Sequence, residues 1–213
     1  MILLPSIASA DQMQLKNEID RLGDWPYLHI DVEDGNFLPN ITFGMKTISG
    51  IAAAAKDKIL DAHLLVTNPM DYLEPMAALG VKKICAHIEP MLYPLEFLNK
   101  ARDLGMQAGL ALNFATPLCV LEPFWPAMDF CLFMTAEPDS RGNQLYGPAL
   151  DRAIAAARQH GKDTDIYVDG GLNPDALTRL REAGAAAAVL GRLCWGAEDP
   201  KARLAELSSA DNI

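Results

Sequence analysis

The sequence predicts an α/β fold, a (β/α)₈ TIM barrel, on three observations. Short β-rich runs alternate with longer helical stretches eight times in 213 residues. Several of the runs are apolar on both faces, as parallel strands covered by helices are. The boundaries between units repeat the same punctuation with no break in composition. A single domain over residues 1–213 and a closed parallel barrel follow. The competing fold is an open doubly wound sheet, but no Gly-x-Gly-x-x-Gly follows the first strand to support its dinucleotide-binding form.

The elements run in order as follows. Ile2–Leu4 is the first strand: the apolar Met1-Ile2-Leu3-Leu4 has no basic segment before it and ends at Pro5, unlike an export signal. Tyr27–Val32 and Ile59–Val66 are strands that each carry two ionisable residues at a spacing of two. Lys83–Ile88, Gln107–Leu112 and Phe130–Thr135 continue the series, and Ile166–Asp169 and Ala187–Leu190 complete it. Helices stop at glycine before the next strand in Leu79-Gly80-Val81, Leu104-Gly105-Met106 and Ala183-Gly184-Ala185, where a left-handed residue closes a helix. They start at Asn68-Pro69, Asn173-Pro174 and Asp199-Pro200. There the polar side chain accepts from an orphan amide, and proline has no amide to leave unpaired.

Composition bounds the function. Half the residues are hydrophobic, enough for one sizeable core. Acidic residues number 28 against 18 basic ones, the net charge is −10, and no basic cluster exists. A nucleic-acid partner is therefore not expected, since neutralising its phosphates takes a Lys/Arg stripe. A phosphorylated small molecule needs only a few local donors and stays open. No segment is apolar for long enough to cross a bilayer, so no membrane partner is expected. With no export signal, a cytoplasmic location is expected. Cys85, Cys119, Cys131 and Cys194 show no Cys-x-x-Cys spacing and read as buried thiols.

In a closed barrel, chemistry collects where strands finish. His29 and Asp31 lie two apart at the end of the second strand and point to one face. Asp61 and His63 repeat the spacing in the third, and Asp169 ends the seventh before Gly170-Gly171. Taken singly, each is an ordinary structural histidine or turn-forming aspartate. Together they aim imidazoles and carboxylates at one mouth, which is costly without a partner. A divalent metal removes that cost, and nitrogen and oxygen donors suit Zn²⁺, Mn²⁺ or Fe²⁺. His87 reads as structural or pocket-lining, and His160 as a helix-end cation. Glu33 shares the strand phase of His29 and Asp31; it either contacts a bound ligand or points to solvent. Glycine turns follow the last three strands in Ser140-Arg141-Gly142-Asn143, Gly170-Gly171 and Gly191-Arg192. Backbone amides after strands seven and eight bind phosphate in many barrels, with Arg192 or Arg141 as added donor.

From about Leu4 to Trp195 the sequence resembles the ribulose-phosphate 3-epimerase family. The matching segments are Pro5–Asp11, His29–Asn40, Asp61–Leu64, Leu112–Pro117, Met134-Thr135 and Val168–Gly171. The resemblance implies a metal site of His29, Asp31, His63 and Asp169, with Zn first among Zn, Mn, Fe and Co. It implies Asp31 and Asp169 as the acid/base pair. It implies substrate contacts at Ser6, His63, Asn113 and Met134, with phosphate held by Gly142, Asn143, Gly170, Gly171, Gly191 and Arg192. The implied reaction inverts C3 of a phosphorylated ketose, in a homo-oligomeric enzyme. The chain departs from the family pattern at Glu33 and Leu65 (methionines there), at Asn36, in the lid segment Glu137–Gln144 and at Arg192. A metal-dependent sugar-phosphate aldolase and a non-catalytic sugar-phosphate-binding protein are the competing functions.

Overall fold

The computed structural model describes residues 1–137 and 144–209. Eight strands form one parallel sheet: β1 Ile2–Pro5, β2 Tyr27–Glu33, β3 Ile59–Leu65, β4 Lys83–His87, β5 Gln107–Leu112, β6 Phe130–Met134, β7 Asp165–Asp169 and β8 Ala187–Leu190. Each pairs with its sequence neighbour, β8 pairs with β1, and a parallel bridge between Ser6 and His29 links β1 to β2 and completes the ring. The eight expected strands are all present, with ends shifted by at most a residue or two.

The strand period divides the residues between two cores. On β6, Cys131 and Phe133 face the helices, while Phe130, Leu132 and Met134 join Leu4, Cys85, Tyr167 and Val189 in a second cluster within the barrel. The same phase sends Leu28, Ile30, Leu60, Ala62 and Leu64 outward to the helix layer. On β2 and β3 it leaves His29, Asp31, Asp61 and His63 facing inward.

The helices are α1 Leu15–Arg21, α2 Met45–Ala54, α3 Met70–Ala78, α4 Pro94–Asp103, α5 Gly147–His160, α6 Pro174–Ala183, α7 Arg192–Trp195 and α8 Pro200–Ser209. Gly80, Gly105 and Gly184 all have φ between 82° and 85°. After each, the next amide reaches back five residues: Val81 to Met76, Met106 to Ala101, Ala185 to Leu180. Two of the expected caps form: Asn173 accepts from the Ala176 amide and Asp199 from the Ala202 amide, each at 2.9 Å. Asn68 instead donates its side-chain amide to Asp71. Regular alternation fails once. Between β5 and β6 the chain forms two 3₁₀ turns, Leu118–Leu121 and Trp125–Ala127. Pro117, Pro123 and Pro126 recur too closely for an α-helical hydrogen-bond ladder.

Candidate active site

Parallel register builds the site directly. His29 is the partner of Asp61 and Asp31 is the partner of His63, so the two spaced pairs interlock across β2 and β3. His29 Nε2 lies 3.1 Å from Asp31 Oδ1, and His63 Nδ1 lies 3.2 Å from the same oxygen and 3.8 Å from Asp169 Oδ2. One donor atom from each of His29, Asp31, His63 and Asp169 falls within 4.8 Å of all the others. Ligands about 2.0–2.2 Å from a single ion sit at most about 4.4 Å apart, so the set needs to close by only a few tenths of an ångström to hold a divalent cation. The chemistry fits too: in the protein alone these side chains crowd two carboxylates against two imidazoles inside the barrel.

Asp61, one of the strand-end carboxylates but outside the ligand set that the family resemblance implies, is fully buried, and its Oδ1 lies 2.5 Å from His29 Nδ1. That contact fixes the ring and leaves Nε2 for the cluster, the usual arrangement behind a metal-bound histidine. Its signal in the sequence was the Asp-x-His spacing that mirrors His-x-Asp on β2. Behind His63 stands His87, its ring stacked at 5.0 Å between centroids and its Nδ1 3.0 Å from Glu89. Burial, outweighing the Glu89 contact, pushes His87 down to about 4, so it is a neutral wall.

The two cluster carboxylates are driven apart. Burial would raise Asp31, but the charges and hydrogen bonds of His29 and His63 outweigh it and hold the carboxyl well below its usual range. Ser6 Oγ donates to its other oxygen. Asp169 shifts upward, through burial and the Asp31 charge, against the opposing His63 hydrogen bond.

A cavity of about 750 Å³ opens beside the cluster, between the ends of β1, β2, β3, β6, β7 and β8. Ser6, Asp31, Met134, Asp169, Gly170, Gly171, Gly191 and Arg192 line it together. Gly170 and Gly171 have φ of 121° and 64°, and a Cβ on either would lie 2.4 or 2.6 Å from the backbone nitrogen of Ala136 or Leu145. Only glycine lets the β7 turn sit against the β6 loop in this way. Asn113 is not among the lining residues; its amide donates to Glu89 and its carbonyl accepts from Arg152. Gly142 and Asn143, with Ser140 and Arg141, lie outside the described residues. The described lining contains no lysine, and Lys83 points its Nζ to the Tyr167 hydroxyl, 2.5 Å away.

Glu33 turns out to be walled in rather than solvent-facing. It is 8% exposed, it lines the cavity, and Asn40 Nδ2 donates to it at 2.5 Å. Burial and the Asp31 charge raise it to about 7, against the Asn40 hydrogen bond. Of the cysteines, Cys85, Cys131 and Cys194 are buried as expected, while Cys119 is exposed. His160, at the end of α5, stacks flat on Trp125 with centroids 3.9 Å apart. Among the described residues no helix is long and apolar enough to cross a membrane.

Comparison with known proteins agrees with this geometry. The profile of the ribulose-phosphate 3 epimerase family matches residues 2–195. The chain is 40% identical over 207 residues to a ribulose-phosphate 3-epimerase of Synechocystis, covering 92% of this chain and 88% of that protein. It is 36% identical to the cytoplasmic isoform of that enzyme from Oryza sativa subsp. japonica, covering 93% and 89%. Among solved structures, a tryptophan synthase alpha-subunit mutant from Pyrococcus furiosus superposes with a TM-score of 0.73 at 15% identity, over 100% of this chain and 98% of that one, a likeness of fold alone. With a profile match of that span and relatives of that identity, the chain belongs to the ribulose-phosphate 3-epimerase family.

Proposed function

We propose that this protein is a metal-dependent isomerase that inverts C3 of a phosphorylated ketose. The observation that carries the reading is the pairing of Asp31 on β2 with Asp169 on β7, two carboxylates from distant strands brought to one four-donor cluster. Inversion needs a proton removed from one face and returned to the other, and groups on separate walls of a barrel mouth meet that need. Asp31 removes the C3 proton from one face, and Asp169 supplies one to the opposite face. His29, Asp31, His63 and Asp169 would hold a divalent ion, which would supply Lewis-acid charge to lower the cost of negative charge on the substrate oxygens. Imidazole and carboxylate donors favour Zn²⁺, with Mn²⁺, Fe²⁺ and Co²⁺ as alternatives.

Ser6 positions Asp31, and Met134 forms the apolar wall beside the reacting carbon. Gly170, Gly171, Gly191 and Arg192 hold the phosphate, their backbone lying open to the cavity, with Gly142 and Asn143 assigned to the same task. Asn113, held by Glu89 and Arg152 in the loop after β5 and outside the cavity lining, is assigned no contact with substrate. Family membership supports a homo-oligomer, and the relative named as a cytoplasmic isoform supports a cytoplasmic place.

The test is Asp169→Asn assayed with pentulose and hexulose phosphates in D₂O. Epimerisation should fall by about 10²–10⁴-fold, the usual weight of a general acid or base. Metal content is measured on the same sample. Full epimerisation by the variant would remove Asp169 from the acid/base role. In the parent protein, a new aldehyde product would establish carbon–carbon cleavage, and absence of C3 proton exchange would leave only binding.

A further inference from the structure

The cavity has two poles. One is the glycine turns after β7 and β8. The other lies across the barrel at the ends of β2 and β3, where Glu33 and its register partner Leu65 line the same space. Glu33 is outside the four-donor set and is not needed for proton transfer.

This pole is built and fastened. The chain after β2 folds back on itself through an antiparallel bridge between Asp34 and Ile41. Asp34 anchors the turn by accepting from the amides of Asn36, Phe37 and Thr67. Thr42 closes it: its hydroxyl accepts from the Glu33 amide at 3.0 Å and donates to the Asp31 carbonyl at 2.7 Å. Asn40 is thereby placed on the Glu33 carboxylate, donating to Oε2. The other oxygen has no hydrogen-bond donor among the described residues. That oxygen is not among the buried unpaired atoms, so it is open to the cavity, where a donor on a bound ligand can reach it.

The order of atoms in a ketose phosphate says what that donor is. With C3 between Asp31 and Asp169, the carbons leading to the phosphate run toward the β7–β8 turns. The short C1 end then runs the other way, toward β2 and β3. We propose that Glu33, held by Asn40, is a specificity-determining residue that accepts a hydrogen bond from the C1 hydroxyl of the ketose, an inference that rests on the epimerase reading above. Glu33 thereby selects 1-hydroxy-2-ketose phosphates over compounds with a methyl group at C1.

The experiment compares D-ribulose 5-phosphate with its 1-deoxy analogue, reading C3 proton exchange in D₂O by NMR. The parent enzyme should favour the hydroxylated substrate by about 10- to 100-fold in kcat/KM, the weight of a hydrogen bond to a charged group. In Glu33→Leu that preference should shrink to within about threefold. Glu33→Gln, which keeps the shape and one acceptor, should fall between. A general loss of fold or metal would slow both substrates alike and leave their ratio unchanged, so the ratio separates a contact to C1 from a structural role. An undiminished ratio in both variants overturns the inference while leaving the epimerase reading in place. Absence of exchange with either substrate in the parent enzyme overturns both.

Discussion

Asp61 is the residue on which the geometry of the cluster turns, although it holds no metal-facing position itself. Its Oδ1 takes the Nδ1 side of His29, so Nε2 is directed at Asp31 and the cluster. Burial lowers the affinity of His29 for a proton, but the charges of Asp31 and Asp61 outweigh it and raise the group well above its ordinary value in the protein alone. A cation must displace that proton, so the ring's orientation and its basicity both bear on metal affinity. In Asp61→Asn the amide offers a donor where the ring needs an acceptor, and the wrong tautomer is favoured. Metal affinity should drop by about 10- to 100-fold, measured by competition with a chromogenic chelator. Affinity equal to the parent's would show that His29 is oriented by packing alone.

Among the elements, the loop after β5 shows what local sequence conveys and what it hides. The strands were legible because short runs apolar on both faces recur between the same turn residues, as buried parallel strands do. The three glycine-closed helix ends were legible because only one backbone conformation fits there. The His-x-Asp and Asp-x-His pairs gave the cluster, since strand phase fixes which side chains share a face. The anchor of the β5 loop could not be read, because its parts are far apart in sequence. Arg152 on α5 donates to the carbonyls of Asn113, Phe114 and Thr116. Glu89, just past β4, accepts from the Asn113 amide and the Thr116 hydroxyl and pairs with His87. Glu33 could be assigned a face but not its Asn40 partner, because the fold-back that joins them is anchored by a distant contact, Asp34 to the Thr67 amide. Burial works to raise Glu89, but the His87 contact, with Thr116 and Asn113, overrides it and depresses the group from 4.5 to about 2. A depressed acid stabilises the fold fully above pH 4.5, and that contribution drains away as pH falls toward 2. Glu89→Gln should therefore cost about 1–3 kcal/mol at neutral pH. Its deficit in urea-unfolding free energy should narrow between pH 4.5 and 2. A deficit that stays constant over that window would assign the cost to shape rather than charge.

For the molecule as a whole, the barrel concentrates acidic side chains at one end, with Arg192 the one base among the described lining residues. Acidic residues exceed basic ones by ten, and Asp31, Glu33, Asp61 and Asp169 all face the interior end where β2, β3 and β7 finish. No lysine lines the cavity among the described residues. The ring of strands cannot relax this crowding, because each ligand sits on a strand paired on both sides. A divalent cation is then part of what stabilises the native state, since the unfolded chain scatters its four ligands from residue 29 to residue 169. Binding only to the folded form at a hundred times the dissociation constant adds about 2.7 kcal/mol. For a chain of this size that raises the thermal midpoint by about 5–10 °C. Calorimetry after chelation, and again after adding back Zn²⁺, Mn²⁺, Fe²⁺ or Co²⁺ singly, should show the midpoint fall and then recover most fully with the native ion. Activity should return in the same order. A midpoint indifferent to chelator and to every ion, in protein verified metal-free, would mean that the four side chains balance one another without a metal.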